Sequence, residues 1–259
     1  MTSDECPANR PSCMLFQRKM GRITARKIRR IFVLFRAIIC VLALLATPIA
    51  HSAWAPKEQL NAVTRETQKT GNRAGRLTLV WWMPPEFWKL AMLATGTLPA
   101  DKVDEAVARM EDANVFLVID GKINPLGIDY TTPADLQKNF SVGDPNGQPL
   151  LLIPDNQQSA AIRNLLAVMS PVLANMLGDF GKHASFFVFE GKAKNGLRRV
   201  DPKKPGVLIA RFAGEDFRWR LPLGSLLPPK ICPKCKESFP GNYSFCPFDA
   251  TPLTEQKNQ

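Results

Sequence analysis

Between residues 77 and 227 the chain switches irregularly between short β-branched or aromatic runs and longer amphipathic runs. Seven runs have the composition of strands: residues 77–83, 115–119, 140–142, 150–153, 185–190, 206–213 and 217–221. Short turns join several of them, which favours antiparallel pairing, and the helical runs come in groups instead of between every two strands. We therefore expect an α+β domain over residues 77–227, an antiparallel sheet covered by helices.

Helices are predicted by apolar spacing over residues 85–95, 101–113 and 156–177. The longest of these contains Ser170-Pro171, which predicts either a kink or two abutting helices. Asp120-Gly121 is the strongest short hairpin signal in the chain and predicts that a strand ends there.

Residues 1–53 have the composition of a secretory leader. They hold nine Lys/Arg and two Asp/Glu, a net charge of +7, and the basic residues precede an apolar run over residues 31–50 that only Arg36 interrupts. The 14 residues after Arg36 would form a helix of about 21 Å, shorter than the roughly 30 Å hydrocarbon core of a bilayer. This predicts a cleaved signal peptide, with Met20 as an alternative start. The other interpretation is an uncleaved anchor with Arg36 at the cytoplasmic interface.

Either form of the leader puts the rest of the chain outside the cytoplasm, in the periplasm or beyond the cell, or anchored at the inner membrane. That remainder holds 25 Lys/Arg and 21 Asp/Glu, so the net charge of +11 falls to +4 without the leader. The near balance argues against a nucleic-acid partner. Residues 54–76 are polar, contain Gly71 and Gly75 and have no apolar period, so they predict a linker.

Residues 228–259 form a tail with two short cysteine units. Cys232-Pro-Lys-Cys235 is the first, and after ten residues Cys246-Pro-Phe-Asp249 is the second. Over about residues 230–253 this pattern resembles the zinc-ribbon family, whose two knuckles bind one tetrahedral Zn²⁺ through four Cys, or with His or Asp replacing one. The resemblance implies a zinc-ribbon hairpin with these ligands: Cys232, Cys235, Cys246 and Asp249.

Other interpretations of these residues stay open. In an oxidising compartment Cys232 and Cys235 can form a disulfide, although the three cysteines that follow the leader cannot all pair within one chain. A bound zinc could instead be catalytic if the three thiolates held it and Asp249 acted as a base. About twenty residues bury too little apolar surface to fold alone, which favours a structural ion.

Motifs for nucleophilic, phosphate-binding or dinucleotide chemistry do not occur in the sequence. His183 is the single histidine after the leader, and its place between a helix and a strand predicts a loop or helix-end residue. Asp120, Asp129 and Asp179 stand in predicted turns, where aspartate is common for conformational reasons. We therefore expect no catalytic residues.

Two further clusters have a structural and a functional interpretation. The densest aromatic cluster is expected to pack beneath a helix, with an exposed ligand surface as the alternative: Trp81, Trp82, Phe87 and Trp88. A basic loop is expected to be solvated, with contact to anionic lipid, acidic polysaccharide or nucleic acid as the alternative: Lys192, Lys194, Arg198, Arg199, Lys203 and Lys204.

Together these patterns predict an exported, non-catalytic binding or structural module of the bacterial cell envelope, with a structural zinc site. The hairpin would either dock on the α+β domain or present Phe239, Tyr243 and Phe248 to a partner, a protein or another envelope component. The membrane would be contacted only through an uncleaved leader. The alternative is an extracytoplasmic hydrolase whose site lies in the α+β domain.

Overall fold

The computed structural model describes residues 55–96 and 98–255. Its helices are α1 Pro56–Thr67, α2 Pro85–Thr95, α3 Ala100–Ala108, α4 Pro133–Asn139, α5 Ala160–Leu177 and α6 Asp179–Lys182. Its strands are β1 Gln68–Thr70, β2 Arg76–Met83, β3 Ala113–Asn124, β4 Gly127–Tyr130, β5 Phe140–Gly143, β6 Ser185–Glu190, β7 Gly206–Phe212, β8 Glu215–Leu221, β9 Lys230–Ile231, β10 Ser238–Phe239 and β11 Thr254–Glu255. We call residues 55–227 the body and residues 228–255 the tail lobe.

The larger sheet of the body is built around β3, whose 12 residues make it the longest of the described strands. β2 pairs along one side of β3, and β1 continues the sheet beyond β2. On the other side, β6 pairs with the first half of β3 and β4 with the second half. All these pairings are antiparallel, although only β1–β2 and β3–β4 are joined by short connections.

A second antiparallel sheet, in the order β5-β7-β8, covers one face of the larger one. Alternation along β2 and β3 directs Trp82 and Phe116 into the core between the two sheets, where they meet Trp219 of β8. The expected α+β class is confirmed. The expectation of one sheet is corrected, because the late strands β7 and β8 form a layer of their own.

Helices cover the opposite face of the larger sheet. Trp81, Leu117 and Ile119 point to this side and pack with Phe87 and Trp88 of α2. Part of the same core is covered by half-buried side chains from α1, α5 and α6: Leu60, Leu165, Leu166, Met169 and Phe180. The helices therefore protect one face of the sheet, while the second sheet protects the other.

The predicted linker over residues 54–76 is wrong in its local structure. Residues 56–67 form α1, with Pro56 in the first turn, where its missing N–H costs nothing. Val63 and Thr67 are buried, and the Thr67 hydroxyl donates to the Val63 carbonyl (2.8 Å). The helix was not predicted because one of its inward positions is the polar Thr67, whose carbonyl accepts from a residue far along the chain, Trp219.

The predicted turn at Asp120-Gly121 is also wrong. β3 runs through these two residues, and the hairpin closes between Asn124 and Gly127. The Asp120 carboxylate is buried and accepts hydrogen bonds from Arg76, from Thr78 (2.7 Å) and from Thr131. An aspartate that is ion-paired within a sheet has no reason to start a turn.

Smaller differences concern element ends. α3 stops at Ala108, five residues before the predicted end, and the expected strand over residues 150–153 makes only isolated bridges, such as Leu152 to Phe189. α5 continues through Pro171 as one helix, capped at its start by Ser159. The predicted leader lies outside the described residues. Within those residues, the helices lack the combination of length and hydropathy that a bilayer crossing requires.

Candidate metal centre

The tail lobe contains two turns of the same design. In the first, the Cys232 carbonyl accepts from the N–H of Lys236 (2.9 Å), and in the second the Cys246 carbonyl accepts from the N–H of Ala250 (2.9 Å). Lys236 and Ala250 both have a positive φ, +65° and +57°. A left-handed residue closes each turn and directs the side chains before it to the same point between the turns.

Four ligating atoms converge at that point, one each from Cys232, Cys235, Cys246 and Asp249, all within 4.8 Å of one another. Cys235 Sγ lies 3.8 Å from Cys246 Sγ, and Cys232 Sγ lies 3.7 Å from Asp249 Oδ2. Zn–S bonds of about 2.3 Å at tetrahedral angles put two sulfurs roughly 3.8 Å apart. The four residues therefore lie close enough to hold a metal ion.

The electrostatics of the four groups differ. Burial raises the pKa of the Cys246 thiol to about 11, although the N–H groups of Phe248 and Asp249 oppose this shift. Burial acts in the same direction on Cys232, but hydrogen bonds from the backbone of Cys235 and Lys234 outweigh it and lower its pKa. The backbone N–H of Thr251 lowers the pKa of Asp249 to about 2. A cation at the site would compensate the charge of the carboxylate and of any thiolate beside it.

Little apolar packing supports this arrangement. The hydrophobic core of the tail lobe consists of Cys232, Phe239 and Cys246, with Leu253 packed against them. Each of the three strands β9, β10 and β11 has two residues. A core of this size offsets little of the conformational entropy of about 25 ordered residues, so a cross-link between the two turns would add to the stability of the lobe.

The tail lobe rests on the short turn Gly224–Leu226 of the body. The N–H of Gly241 donates to the Gly224 carbonyl (3.1 Å). A Cβ atom on Gly241 would lie 2.5 Å from the Cβ atom of Leu227 in the body, so the close approach of the lobe to the body requires glycine.

Helix α1 holds that turn in place. The Glu66 carboxylate accepts from the N–H groups of Gly224 (3.0 Å) and Ser225 (3.1 Å), and also from the Ser225 hydroxyl. Gln59 Nε2 donates to the Ser225 carbonyl (2.8 Å). This contact between α1 and the Gly224–Leu226 turn was not predicted from the sequence, because its partners are about 160 residues apart and no local pattern marks them.

His183 and the acidic candidates do not form a catalytic constellation. The His183 ring stacks on Tyr130 (3.6 Å between centroids), beside a cleft of about 630 Å³ that Asp129 also lines. Among the described residues, no carboxylate is hydrogen-bonded to this ring. Asp129 instead accepts from Asn124, and Asp179 pairs with Lys182.

The aromatic cluster has the structural role that we expected. Trp81, Trp82, Phe87 and Trp88 are all buried. Trp81 and Trp82, adjacent in β2, lie in the two different cores, and the Phe87 ring meets Trp81 edge to face at 5.2 Å.

Much of the basic loop is neutralised by carboxylates of the body. Arg198 makes a two-pronged pair with Glu86. Arg199 pairs with both Asp144 and Glu190. These contacts fix the loop to the body, which favours the structural interpretation over a cationic binding surface.

Comparison with protein-family models, with curated proteins and with solved structures finds no match to this chain. The fold and the site together define a class: a two-sheet α+β protein with a C-terminal lobe whose three cysteines and one aspartate lie close enough to hold a metal ion.

Proposed function

We propose that the tail lobe binds one Zn²⁺ through Cys232, Cys235, Cys246 and Asp249, and that the chain is an exported, non-catalytic binding module. The observation that carries the metal site is the convergence of the four ligating atoms within 4.8 Å. The spacing of the atoms supports a tetrahedral ion, and thiolate-rich tetrahedral sites select zinc among the common divalent ions.

The ion is structural in this proposal. Four protein ligands close a tetrahedral site, whereas a catalytic zinc keeps one position for water or substrate. Asp249 Oδ2 lies 3.7 Å from Cys232 Sγ, and its oxygen converges with the three sulfur atoms, which supports a fourth ligand. The near absence of an apolar core in the lobe supports the same role, because the ion would supply the stability that packing does not.

The zinc content of the purified full chain tests the metal proposal. We expect about one equivalent of zinc per chain, and tetrahedral visible bands after exchange for Co²⁺. Cys246→Ser should abolish stoichiometric binding, and Ser244→Ala, an exposed neighbour, should leave it unchanged. A chain without zinc, in which peptide mapping finds a Cys232–Cys235 disulfide, would contradict the proposal.

Export is a separate part of the proposal and rests on the leader sequence. The protein recovered from an expressing bacterium should begin between residues 50 and 54 if the signal peptide is cleaved. A first residue before Ala50 would reject cleavage, and recovery of the chain from the membrane would then support the anchored form.

The non-catalytic role is proposed because the residues that could do chemistry in the body have structural partners: Asp120 pairs with Arg76, and the His183 ring stacks on Tyr130. The hydrolase alternative would require a nucleophile or a water activated by His183. Loss of a measured hydrolytic activity in His183→Ala would favour that alternative.

A further inference from the structure

The three cysteines of the candidate metal centre differ in their access to solvent. Cys232 and Cys246 are buried, whereas Cys235 is exposed. Oxidation of thiols follows their exposure to the oxidant. A small oxidant in solution therefore meets this site first at Cys235.

The exposed cysteine belongs to the first turn, but its sulfur atom lies beside a cysteine of the second turn. Cys235 Sγ is 3.8 Å from Cys246 Sγ, and a disulfide needs about 2.05 Å, so the two atoms have to approach by less than about 2 Å. Cys232 Sγ has other contacts, because it accepts from the N–H of Cys235 (3.4 Å) and lies 3.7 Å from Asp249 Oδ2. The arrangement favours Cys246 as the partner with which oxidised Cys235 forms a disulfide.

The composition of the ligand set makes such a bond decisive for the ion. A structural zinc site uses four ligands. A disulfide between Cys235 and Cys246 would leave one sulfur and one carboxylate, those of Cys232 and Asp249, and no further Cys, His, Asp or Glu of the described residues belongs to the cluster. Oxidation of this one pair would therefore release the ion.

The same bond would replace the ion as the link between the two turns. The first turn is closed from Cys232 to Lys236 and the second from Cys246 to Ala250, so a Cys235–Cys246 disulfide joins them. A Cys232–Cys235 disulfide would lie within the first turn and leave the second one unlinked. The choice of pair thus decides whether the lobe stays cross-linked after the metal has left.

We infer that the zinc site of the tail lobe is redox-sensitive: hydrogen peroxide oxidises Cys235, Cys246 closes a disulfide with it, and Zn²⁺ is released while the two turns stay linked. The inference rests on the proposed function, because it concerns the same four residues when they hold zinc.

The step is balanced with hydrogen peroxide as the oxidant. The Cys235 thiolate attacks one peroxide oxygen, the O–O bond breaks, and a sulfenic acid and a hydroxide ion form. The Cys246 thiolate then attacks the sulfenic sulfur, which forms the S–S bond and expels a second hydroxide ion. The two sulfur atoms together lose two electrons to the two peroxide oxygens, and two protons from solvent convert the hydroxide ions to water.

The test uses the full chain, reduced and loaded with zinc, and hydrogen peroxide as the probe. Released zinc is measured with a chromogenic chelator, and the cysteines are mapped after alkylation and unfolding. Trypsin cleaves after Lys234 and Lys236, so each cysteine of the tail lobe falls on its own peptide, separate from any cysteine of the leader. We expect about one equivalent of zinc released for each Cys235–Cys246 disulfide, and an unoxidised thiol at Cys232.

Two histidine variants separate the possible pairs, because an imidazole also binds zinc but cannot form a disulfide. Cys235→His should release its zinc to peroxide at least about tenfold more slowly than the parent chain. Cys232→His is the matched control, since it keeps the proposed pair and should release zinc at a rate near that of the parent. Equal resistance of both variants would identify Cys232–Cys235 as the pair and overturn the inference. Zinc content is measured before peroxide is added, and if either variant holds no zinc, the peptide map of the parent decides.

Limited digestion of the folded chain tests the link between the turns. The oxidised lobe should be cleaved after Lys234 and Lys236 more slowly than the lobe of the reduced chain in a chelator, because the disulfide still holds the turns together. Equal rates of cleavage would overturn this part of the inference. Dithiothreitol and one equivalent of zinc should restore the metal-bound form.

The zinc measurements also separate the inference from the proposed function. A zinc-loaded chain that keeps its ion in peroxide, or that loses it with sulfinic acids in place of a disulfide, overturns the redox inference and leaves the metal site intact. A reduced chain that takes up no zinc overturns the proposed function, and the inference with it.

Discussion

In the body, the rings of Trp82 and Phe116 meet Trp219 between two sheets, at 6.1 and 5.9 Å. In the tail lobe, two of the three buried residues of the hydrophobic cluster are cysteines whose sulfur atoms point at a common centre. The body thus has an apolar core on each face of its larger sheet, whereas the lobe has turns, three minimal strands and a candidate metal site.

The difference teaches how the two regions should respond to perturbation. A core built from many contacts loses stability in steps as single side chains are removed. A lobe held by one ion loses its structure as a unit when the ion is lost. The two regions meet at the Gly224–Leu226 turn. Each region can therefore be destabilised by a substitution while the stability of the other is measured as a control.

Metal removal should have the largest effect. A structural zinc contributes on the order of 10–16 kcal/mol in small zinc-dependent folds, far more than the core of this lobe can supply. A chelator should therefore unfold the lobe and let trypsin cleave after Lys230, Lys234 or Lys236. The near-ultraviolet circular dichroism of the buried body tryptophans should persist.

Cys246→Ser should reproduce the effect of the chelator without any chelator present, and Ser244→Ala should resist trypsin like the parent chain. If the lobe stays protected in the metal-free protein, its stability comes from packing and the contrast with the body is lost.

The second largest effect is expected in the body. Phe116 is fully buried in β3 and contacts the rings of Phe140, Phe189 and Trp219. Phe116→Ala should lower the free energy of unfolding of the body by about 3–5 kcal/mol, measured by denaturant titration of tryptophan fluorescence.

Leu126→Ala is the matched control for that measurement, because this fully exposed side chain should cost less than about 0.5 kcal/mol. Zinc content should be unchanged in both variants. A loss of zinc in Phe116→Ala would show that the lobe depends on the body core.

Features that depend on residues close together in the chain could be predicted from the sequence, whereas features that depend on distant partners could not. The two cysteine turns are local: each is closed within five residues, so the resemblance of their spacing to the zinc-ribbon pattern pointed to the four residues that the structure brings together. α1 could not be predicted, because the partners of its buried Thr67 are far along the chain. The Thr67 carbonyl accepts from Trp219 Nε1, 152 residues later (2.8 Å).

Asp120 shows the same limit. Asp-Gly predicts a turn from two residues, but the conformation is decided by Arg76, which lies 44 residues earlier and pairs with the carboxylate across β2 and β3. Among the exposed rings of the tail lobe, Phe245 was missed, although its place directly before Cys246 was a signal that could have found it.

The Asp120 pair also predicts how the body responds to acid. Burial opposes ionisation of Asp120, but hydrogen bonds from Arg76, Thr131 and Thr78 outweigh it and hold its pKa below the ordinary 3.8. Because the folded pKa is lowered, the stabilisation is present above about pH 4 and is lost as the pH falls through the folded value.

Asp120→Asn should therefore destabilise the body by about 1–3 kcal/mol at neutral pH, and the difference from the parent should shrink below pH 4. Urea titrations of tryptophan fluorescence at pH 6 and pH 3 would measure this. A difference that stays constant over this interval would mean that the charge of Asp120 contributes nothing.

The smallest expected effect is a gain of stability in the lobe. Lys236 has φ +65°, a conformation that costs a non-glycine residue about 1–2 kcal/mol. Lys236→Gly should relieve most of this cost, and the greater freedom of glycine in the unfolded chain should reduce the gain to about 1 kcal/mol. Since folding of the lobe and metal binding are linked in our proposal, zinc affinity measured by chelator competition should rise roughly fivefold.

Lys234→Gly is the matched control, because Lys234 lies two residues earlier in the same turn, carries the same charge and is not among the described residues with positive φ. This variant should lose affinity, since glycine there adds freedom to the unfolded chain and relieves nothing. Equal effects of the two substitutions would show that charge, and not backbone strain, sets the affinity. Neither should change the unfolding of the body, whose stability comes from its own two cores.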